Sequence, residues 1–209
     1  MKFPVYAIAV AMALSAAPAM AQQDQAPDPA ARQVLDAYGR CVAERKPQES
    51  LRVLTQDFRS SGYRTGLRML SQDAERNCAE DTLGRRGVMR SNNLLFAGAV
   101  AENLLEQGAQ PINVRLARAA SHSAATYSPT DALAQCLARS LPDQVAALFA
   151  SEPASEAETA ATAPLFAAVS ACSQVAKIEA QFEMSPPAMR AVLATAALRL
   201  ITKSENADA

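Results

Sequence analysis

The sequence predicts a mainly α-helical protein made of two similar units. The 209-residue chain is rich in alanine, the strongest helix former, and contains only 7 glycines. It has no tryptophan and only 5% aromatic residues, whereas strands favour aromatic and β-branched side chains. Its four cysteines form two pairs of nearly equal spacing. The 20 basic and 21 acidic side chains give a net charge of −1, which argues against a nucleic-acid partner.

Residues 1–21 have the features of an export signal. A basic residue precedes an apolar run over 5–17, and Ala-Met-Ala at 19–21 fits the small-residue cleavage motif. This run is shorter than the roughly 20 strongly apolar residues that a membrane span requires. An uncleaved anchor is the alternative, and no cysteine lies near the cleavage position to hold a lipid. We therefore expect the mature chain to begin at Gln22, with a disordered stretch over 22–28.

The cysteine spacing indicates an internal duplication. Cys41 and Cys78 are 37 positions apart, and Cys136 and Cys172 are 36 apart. The motif C-x-A-x-x-x-P starts at the first cysteine of each pair. After the second cysteine of each pair, a serine opens a further helical pattern at the same distance (Ser91 and Ser185). The agreement predicts helical repeat unit 1 over 29–106, a connector over 107–128, and helical repeat unit 2 over 129–202.

Each unit is predicted to contain four helical segments. In unit 1, Asp28 caps the first segment and Pro29 occupies its first turn. The segments of this unit are expected over 29–46, 47–56, 65–80 and 91–106. In the fourth segment the apolar stripe leaves three polar side chains for solvent: Glu102, Asn103 and Glu106.

Unit 2 is expected to follow the same plan. It opens at Ser128-Pro129, turns at Pro142, and has a capping box, Ser155-x-x-Glu158, before its third segment. Pro164 should kink or split that segment, because proline removes a backbone donor and clashes with the preceding turn. Ser185 caps the last helix, and the tail over 203–209 is expected to be disordered.

The connector alternates apolar and polar residues over 112–116, with a period of two. This pattern predicts an extended segment that packs across both units, followed by a weak helix over 115–125. A second irregular segment, over 83–89, is expected to pair with it.

Four cysteines in an exported chain favour two disulfides. Three pairings are open, and the duplication favours Cys41 with Cys78 and Cys136 with Cys172. Redox catalysts use C-x-x-C, and structural zinc sites need clustered cysteine or histidine. The chain has neither spacing and only one histidine, so no metal and no cofactor is expected.

Two groups of residues invite a functional interpretation. Arg85, Arg86 and Arg90 precede the fourth helix and would suit a carboxylate, a phosphate or a protein partner. The alternative is a hydrated surface, or charge complementarity between the units. His122 lies between two serines, but neighbours in sequence do not by themselves form a nucleophile and a base. A solvated loop histidine is the expectation.

The alanine-rich exported chain, the doubled C-x-A-x-x-x-P motif and the serine-capped last helix resemble uncharacterised exported helical proteins of alphaproteobacteria. The resemblance covers about residues 30–201. It implies a periplasmic location and no particular chemistry.

The sequence favours a non-enzymatic module, because no nucleophile, base and oxyanion donor can be assembled from it. We expect this module to bind another envelope or secreted protein or component. The alternative is a carrier that holds a small apolar ligand between the two units. Neither reading involves nucleic acid or an integral membrane segment after signal cleavage, and the oligomeric state is left open.

Overall fold

Helices form the secondary structure of the part of the chain that this computed structural model describes, residues 28–78, 92–179 and 184–208, with the side chains of 73–76 excepted. In chain order they are α1 (Pro29–Arg45), α2 (Pro47–Leu54), α3 (Ser61–Asn77), α4 (Asn93–Glu106), α5 (Ile112–Ala119), α6 (Pro129–Ser140), α7 (Pro142–Ala150), α8 (Glu156–Val175) and α9 (Pro186–Ala207). No strand occurs within these ranges, and the predicted all-helical class is confirmed.

The predicted export signal lies outside the described residues, as do most of the stretch over 22–28 and the segment over 83–89. Among the helices just given, none is both long enough and apolar enough to cross a membrane.

Side-chain caps fix where several helices begin. Asp28 accepts a hydrogen bond from the backbone N–H of Ala30 at 3.0 Å, and Ser128 accepts one from that of Asp131 at 3.1 Å. The hydroxyl of Ser155 does the same for Glu158 at 3.1 Å. Proline occupies the first turn of five helices, α1, α2, α6, α7 and α9. The helix starts expected at these caps and prolines are confirmed. Ser185 precedes α9, but its side chain makes no capping hydrogen bond.

Two expected boundaries were wrong. Helix α3 begins at Ser61 rather than at Thr65, because the Ser60 hydroxyl caps it by accepting from the N–H of Tyr63 at 3.0 Å. At Pro164, where a kink or a split was expected, α8 is not split: it continues from Glu156 to Val175, with buried residues on both sides of the proline. Helix α9 extends to Ala207, into the tail expected to be disordered, because Ser204 is still buried.

The connector contains a helix, α5, where an extended segment was expected. Ile112, Leu116 and Ala119 are spaced at four and three residues, so a helix places them on one face. Leu116 and Ala119 are fully buried there. The short alternating pattern over 112–116 is compatible with the strand period of two and with the helix period of 3.6. Packing against α7 and α9 favours the helix.

Helices α4 and α9 lie at the centre of the fold. Helix α9 is buried almost all round from Met189 to Ile201, as expected of a helix enclosed by others. It packs against α4, α5 and α6, while α4 also packs against α1 and α2. The close crossing of α4 and α9 requires glycine at position 98, since a Cβ there would lie 2.5 Å from the Cα of Ala191. A single hydrophobic cluster runs through both predicted units.

Each predicted unit has its own disulfide. Cys41 is bonded to Cys78, with their Cα atoms 5.8 Å apart, and this bridge joins α1 to the end of α3. Cys136 is bonded to Cys172, with Cα atoms 5.7 Å apart, and this bridge joins α6 to α8. The pairing is the one that the duplication favours.

Candidate functional site

A cavity of about 460 Å³ lies between residues of the two predicted units. The walls come from the turn before α3, from α3 itself, from the first residues of α4 and α6, and from one side of α9. These residues are Phe58, Tyr63, Arg64, Leu67, Asn92, Asn93, Leu94, Ser128, Thr130, Asp131, Val192, Thr195 and Arg199. Its volume is within the range of roughly 300–1,000 Å³ that is typical of sites for small molecules.

The apolar part of the wall follows from the helical pattern. Tyr63 and Leu67 are four residues apart on α3, so they share a face and both are buried. Leu94 and Val192, from the two central helices, are only partly buried, and they line the cavity as well. The cavity therefore has a wall on which an apolar molecule can be desolvated.

The polar part of the wall is centred on a buried ion pair. Arg199 of α9 donates through Nη2 to Asp131 of α6, and the two side chains are 5% and 4% exposed. The other oxygen of Asp131 accepts from the backbone N–H of Tyr127 at 3.0 Å. The guanidinium also lies 5.7 Å from the centre of the Tyr127 ring, within the range of a cation–π contact. Both carboxylate oxygens of Asp131 are thus already hydrogen-bonded.

Arg199 retains donors that the described residues do not use. Its Nε is buried and has no hydrogen-bond partner among them. Such a group is unusual, since nearly all buried polar atoms in proteins are hydrogen-bonded. Arg64, which lines the same cavity, donates to the backbone carbonyl of Arg59 at 2.9 Å and forms no ion pair in the described part of the chain. The described lining of the cavity therefore contains two guanidinium groups and one carboxylate.

Burial shifts the acidity of two groups in this wall. It raises the pKa of Asp131 above its ordinary value, although Arg199 and the N–H of Tyr127 act in the opposite direction. It also raises the pKa of the Tyr63 hydroxyl, so that this group is neutral near pH 7 and can donate a hydrogen bond.

The N-terminal ends of two helices, α4 and α6, lie at the same cavity. Asn92 caps α4 by accepting from the N–H of Leu94 at 2.9 Å, and Ser128 caps α6. Both capping residues line the cavity. Because helix N-termini hold a positive partial charge, they add to the field of the guanidinium groups.

A second group of buried charges lies on the other side of α9. Arg190 donates to both oxygens of Glu102, through Nε at 2.8 Å and through Nη2 at 2.5 Å. Its Nη1 lies 3.1 Å from Glu158, and Glu158 is bonded in turn to Arg32 at 2.5 and 2.6 Å. This chain of four side chains connects α1, α4, α8 and α9, and we call it the Arg190 network.

The Arg190 network shifts the acidity of both of its carboxylates. Burial raises the pKa of Glu102 to about 7, against the lowering effect of Arg190. Burial acts in the same direction on Glu158, but Arg32, the N–H of Ala154 and Arg190 together hold its pKa below the ordinary value. Expecting Glu102 and Asn103 to face solvent was wrong, since they are 4% and 3% exposed. Burial of Glu102 is compensated by its ion pair with Arg190, and burial of Asn103 by a hydrogen bond from its side-chain amide to Asp36.

A cleft of about 510 Å³ borders the Arg190 network. It is lined by polar residues, including Asp36, Arg40, Glu102, Glu106 and Arg190. Arg40 is paired with Asp36, and Arg190 with Glu102. Both arginines of this cleft are thus neutralised by a carboxylate. The cavity beside Arg199, which has an unpaired guanidinium donor, is therefore the better candidate for a ligand site.

The arginines that the sequence singles out as a candidate binding site stay a prediction. Arg85, Arg86 and Arg90 lie outside the described residues. His122 lies in the non-helical segment after α5, where its Nδ1 is 3.3 Å from the hydroxyl of Ser121. No cluster of three or more histidine, cysteine, aspartate or glutamate side chains suited to a metal ion occurs in the described part of the chain.

Arg190 and Arg199 were not predicted as functional residues, although the sequence contains a signal for them. They are the two charged residues in an otherwise apolar and small-residue stretch from Met189 to Ile201. A charge in a helix that is apolar on all sides requires a buried partner. The partners Glu102 and Asp131 are distant in sequence, and only the tertiary structure identifies them.

No protein-family model matches the chain, and no curated protein or solved structure is significantly similar to it.

Proposed function

We propose that this protein is an exported carrier that binds a small ligand with an apolar part in the cavity beside Arg199. The observation behind this proposal is the cavity itself, which has a suitable volume and is lined by apolar and polar side chains from both predicted units. Both oxygens of the buried Asp131 carboxylate are hydrogen-bonded, so the described lining offers no obvious general base. Binding without chemistry is the function that this geometry supports best.

The alternative, a module that docks on another protein, has less support. Large exposed hydrophobic side chains in the described part of the chain are Met69, Val114 and Val175. They lie on three different helices, α3, α5 and α8. Interfaces that bind proteins usually present a contiguous apolar patch rather than isolated side chains.

Two observations support export. The described residues include two disulfides and no free cysteine, and disulfides persist mainly in oxidising compartments such as the periplasm. The first 21 residues also have the pattern of a cleavable signal.

Native mass spectrometry of the protein purified from envelope extract of its natural host tests the proposal. We expect a bound small molecule on the wild-type chain that is released on denaturation. Leu94→Trp places a large ring at the cavity wall and should abolish the bound mass. Val175→Trp makes a similar change at a side chain that is 77% exposed, and it should leave the bound mass unchanged.

Circular dichroism is the control for folding of both variants. A folded Leu94→Trp protein that retains the same bound molecule as the wild type would show that the cavity is not the binding site. Purification of the wild type with a stoichiometric protein partner and no small molecule would favour the docking module instead.

A further inference from the structure

We infer that the ligand is an amphipathic anion, whose acidic head group binds Arg199, Arg64 and Tyr63 and whose apolar chain lies against Leu67, Leu94 and Val192. This inference rests on the proposed function, and it adds the chemical class of the ligand. It depends on which hydrogen-bonding atoms of the cavity wall are already used and which are not.

The carboxylate of the described wall is fully hydrogen-bonded, whereas one buried guanidinium donor is not. Asp131 is the only carboxylate in the described lining, and its two oxygens accept from Arg199 and from the backbone of Tyr127. Arg199 is 95% buried, and its Nε has no partner within the described residues. A guanidinium has five N–H donors and no acceptor, so the group that this unpaired donor requires is an acceptor.

Arg64 and Tyr63 strengthen the preference for a negative head group. Arg64 adds a second guanidinium without a second carboxylate, so the described ionisable groups of the lining sum to a net positive charge. The Tyr63 hydroxyl has no hydrogen-bond partner in the described part of the chain, and it is a neutral donor near pH 7. The N-terminal ends of α4 and α6 at the same wall add a positive field.

The charges of the described lining disfavour a cationic ligand. It would lie beside two guanidinium groups and two helix N-termini, with an aspartate that is already paired. A fully polar anion would leave the apolar side chains Leu67, Leu94 and Val192 facing water or an unfilled space. A molecule with an anionic end and an apolar chain matches both parts of the wall.

The test compares ligands that differ only in the head group, by isothermal titration calorimetry on the full mature chain after removal of copurified molecules. The probes are hexanoate, decanoate and tetradecanoate, the alcohols of the same chain lengths, and the corresponding alkyltrimethylammonium ions. For at least one chain length, we expect the carboxylate to bind more than about tenfold more tightly than the alcohol, as charged hydrogen bonds contribute more than neutral ones. The cation should not bind.

Three variants locate the head group. Tyr63→Phe removes one hydroxyl, and Arg64→Ala removes one exposed guanidinium; each should weaken carboxylate binding by about fivefold or more and leave alcohol binding unchanged. Arg68→Ala changes an exposed arginine one turn away on α3 that does not line the cavity, and it should leave both affinities unchanged. Arg199→Lys retains the charge opposite Asp131 and removes the Nε donor; it should also weaken carboxylate binding by about fivefold or more, and circular dichroism checks that this variant is folded.

The outcomes separate this inference from the proposed function. If the alcohols bind as tightly as the carboxylates, or if Tyr63→Phe, Arg64→Ala and Arg199→Lys all leave carboxylate affinity unchanged, the inference about the head group is wrong while the carrier function stands. If the alkyltrimethylammonium ions bind best, the inference is also wrong, because the preferred head group is then positively charged. If no probe binds and the wild-type protein holds no small molecule, both the inference and the carrier function fail.

Discussion

Arg190 on the last helix and Glu102 on the fourth are joined by two parallel hydrogen bonds in the core, at 2.8 Å and 2.5 Å. The pair spans the crossing of α9 and α4, the two most central helices. The remaining terminal nitrogen of Arg190, Nη1, lies 3.1 Å from Glu158 on α8. One arginine thus links three helices, and its removal would leave Glu102 without its ion-pair partner, whereas Glu158 would keep Arg32.

We predict that Arg190→Met lowers the free energy of unfolding by about 3 kcal/mol or more, because removal of one partner leaves buried charge uncompensated. Urea denaturation measures the effect. The double variant Arg190→Met with Glu102→Gln should recover part of the loss, since it removes a charge that the single variant leaves behind.

Arg59→Ala is the matched control, because Arg59 forms an exposed pair with Asp57. It should change stability little. A similar loss in the Arg59 and Arg190 variants would mean that the Arg190 network contributes nothing specific to the fold.

We predict that Glu102 makes the protein less stable as pH rises through neutrality. Burial raises its folded-state pKa to about 7, above the ordinary 4.5, so the folded protein binds this proton more tightly than the unfolded chain does. The contribution of Glu102 to stability is therefore fully present below pH 4.5, decreases as pH rises from there to about 7, and levels off above the folded-state pKa. The slope cannot exceed about 1.4 kcal/mol per pH unit for one proton.

Urea denaturation of the wild type and of Glu102→Gln across this pH range tests the prediction. The wild type should lose more stability than the variant, which lacks the titrating group. A smaller decline remains in the variant, because the pKa values of Glu106 and Asp131 are also raised. Parallel curves for the two proteins would contradict the raised pKa of Glu102.

We predict that Gly98→Ala destabilises the protein by about 1–3 kcal/mol, the usual cost of overpacking a core. A Cβ at this position would lie 2.5 Å from both the Cα and the Cβ of Ala191, so the two central helices would have to move apart. Thermal unfolding followed by circular dichroism measures the change.

Gly62→Ala provides the opposite case within a helix. The nearest heavy atom to its Cβ would be Oε1 of Gln56 at 3.0 Å, the end of a flexible and partly exposed side chain. Because alanine is the better helix former, this variant should be slightly more stable than the wild type. If both alanine variants are stabilised alike, the α4–α9 crossing is not as close as described.

We predict that each disulfide contributes about 4 kcal/mol to stability, on the basis of loop entropy. The two bridges close loops of nearly equal length, with separations of 37 and 36 residues. Two double variants test this: Cys41→Ser with Cys78→Ser, and Cys136→Ser with Cys172→Ser. Urea denaturation should show a similar loss in the free energy of unfolding for both. A negligible loss in either variant would show that the bridge does not constrain the unfolded chain as expected.

Local sequence features predicted much of the fold and little of the candidate site. Asp28, Ser128 and Ser155 were identified as caps because capping depends on a side chain and a backbone N–H two or three residues away. Over 112–116 the sequence pattern was ambiguous, because five residues are too few to distinguish a period of two from a period of 3.6. Contacts of Leu116 with the rest of the core decided in favour of a helix.

The sequence by itself determined the helical class, most of the helix starts and the preferred cysteine pairing, because each depends on residues near one another in the chain or on a repeated spacing. Only the tertiary structure decided that Glu102 is buried, that Arg190 and Arg199 have acidic partners, and that Tyr63 and Arg199 face one cavity. These relationships join residues as much as 136 positions apart, and the packing of α9 among its neighbours selects them. The sequence shows which residues are charged, but the packing of the helices determines which charged residues pair.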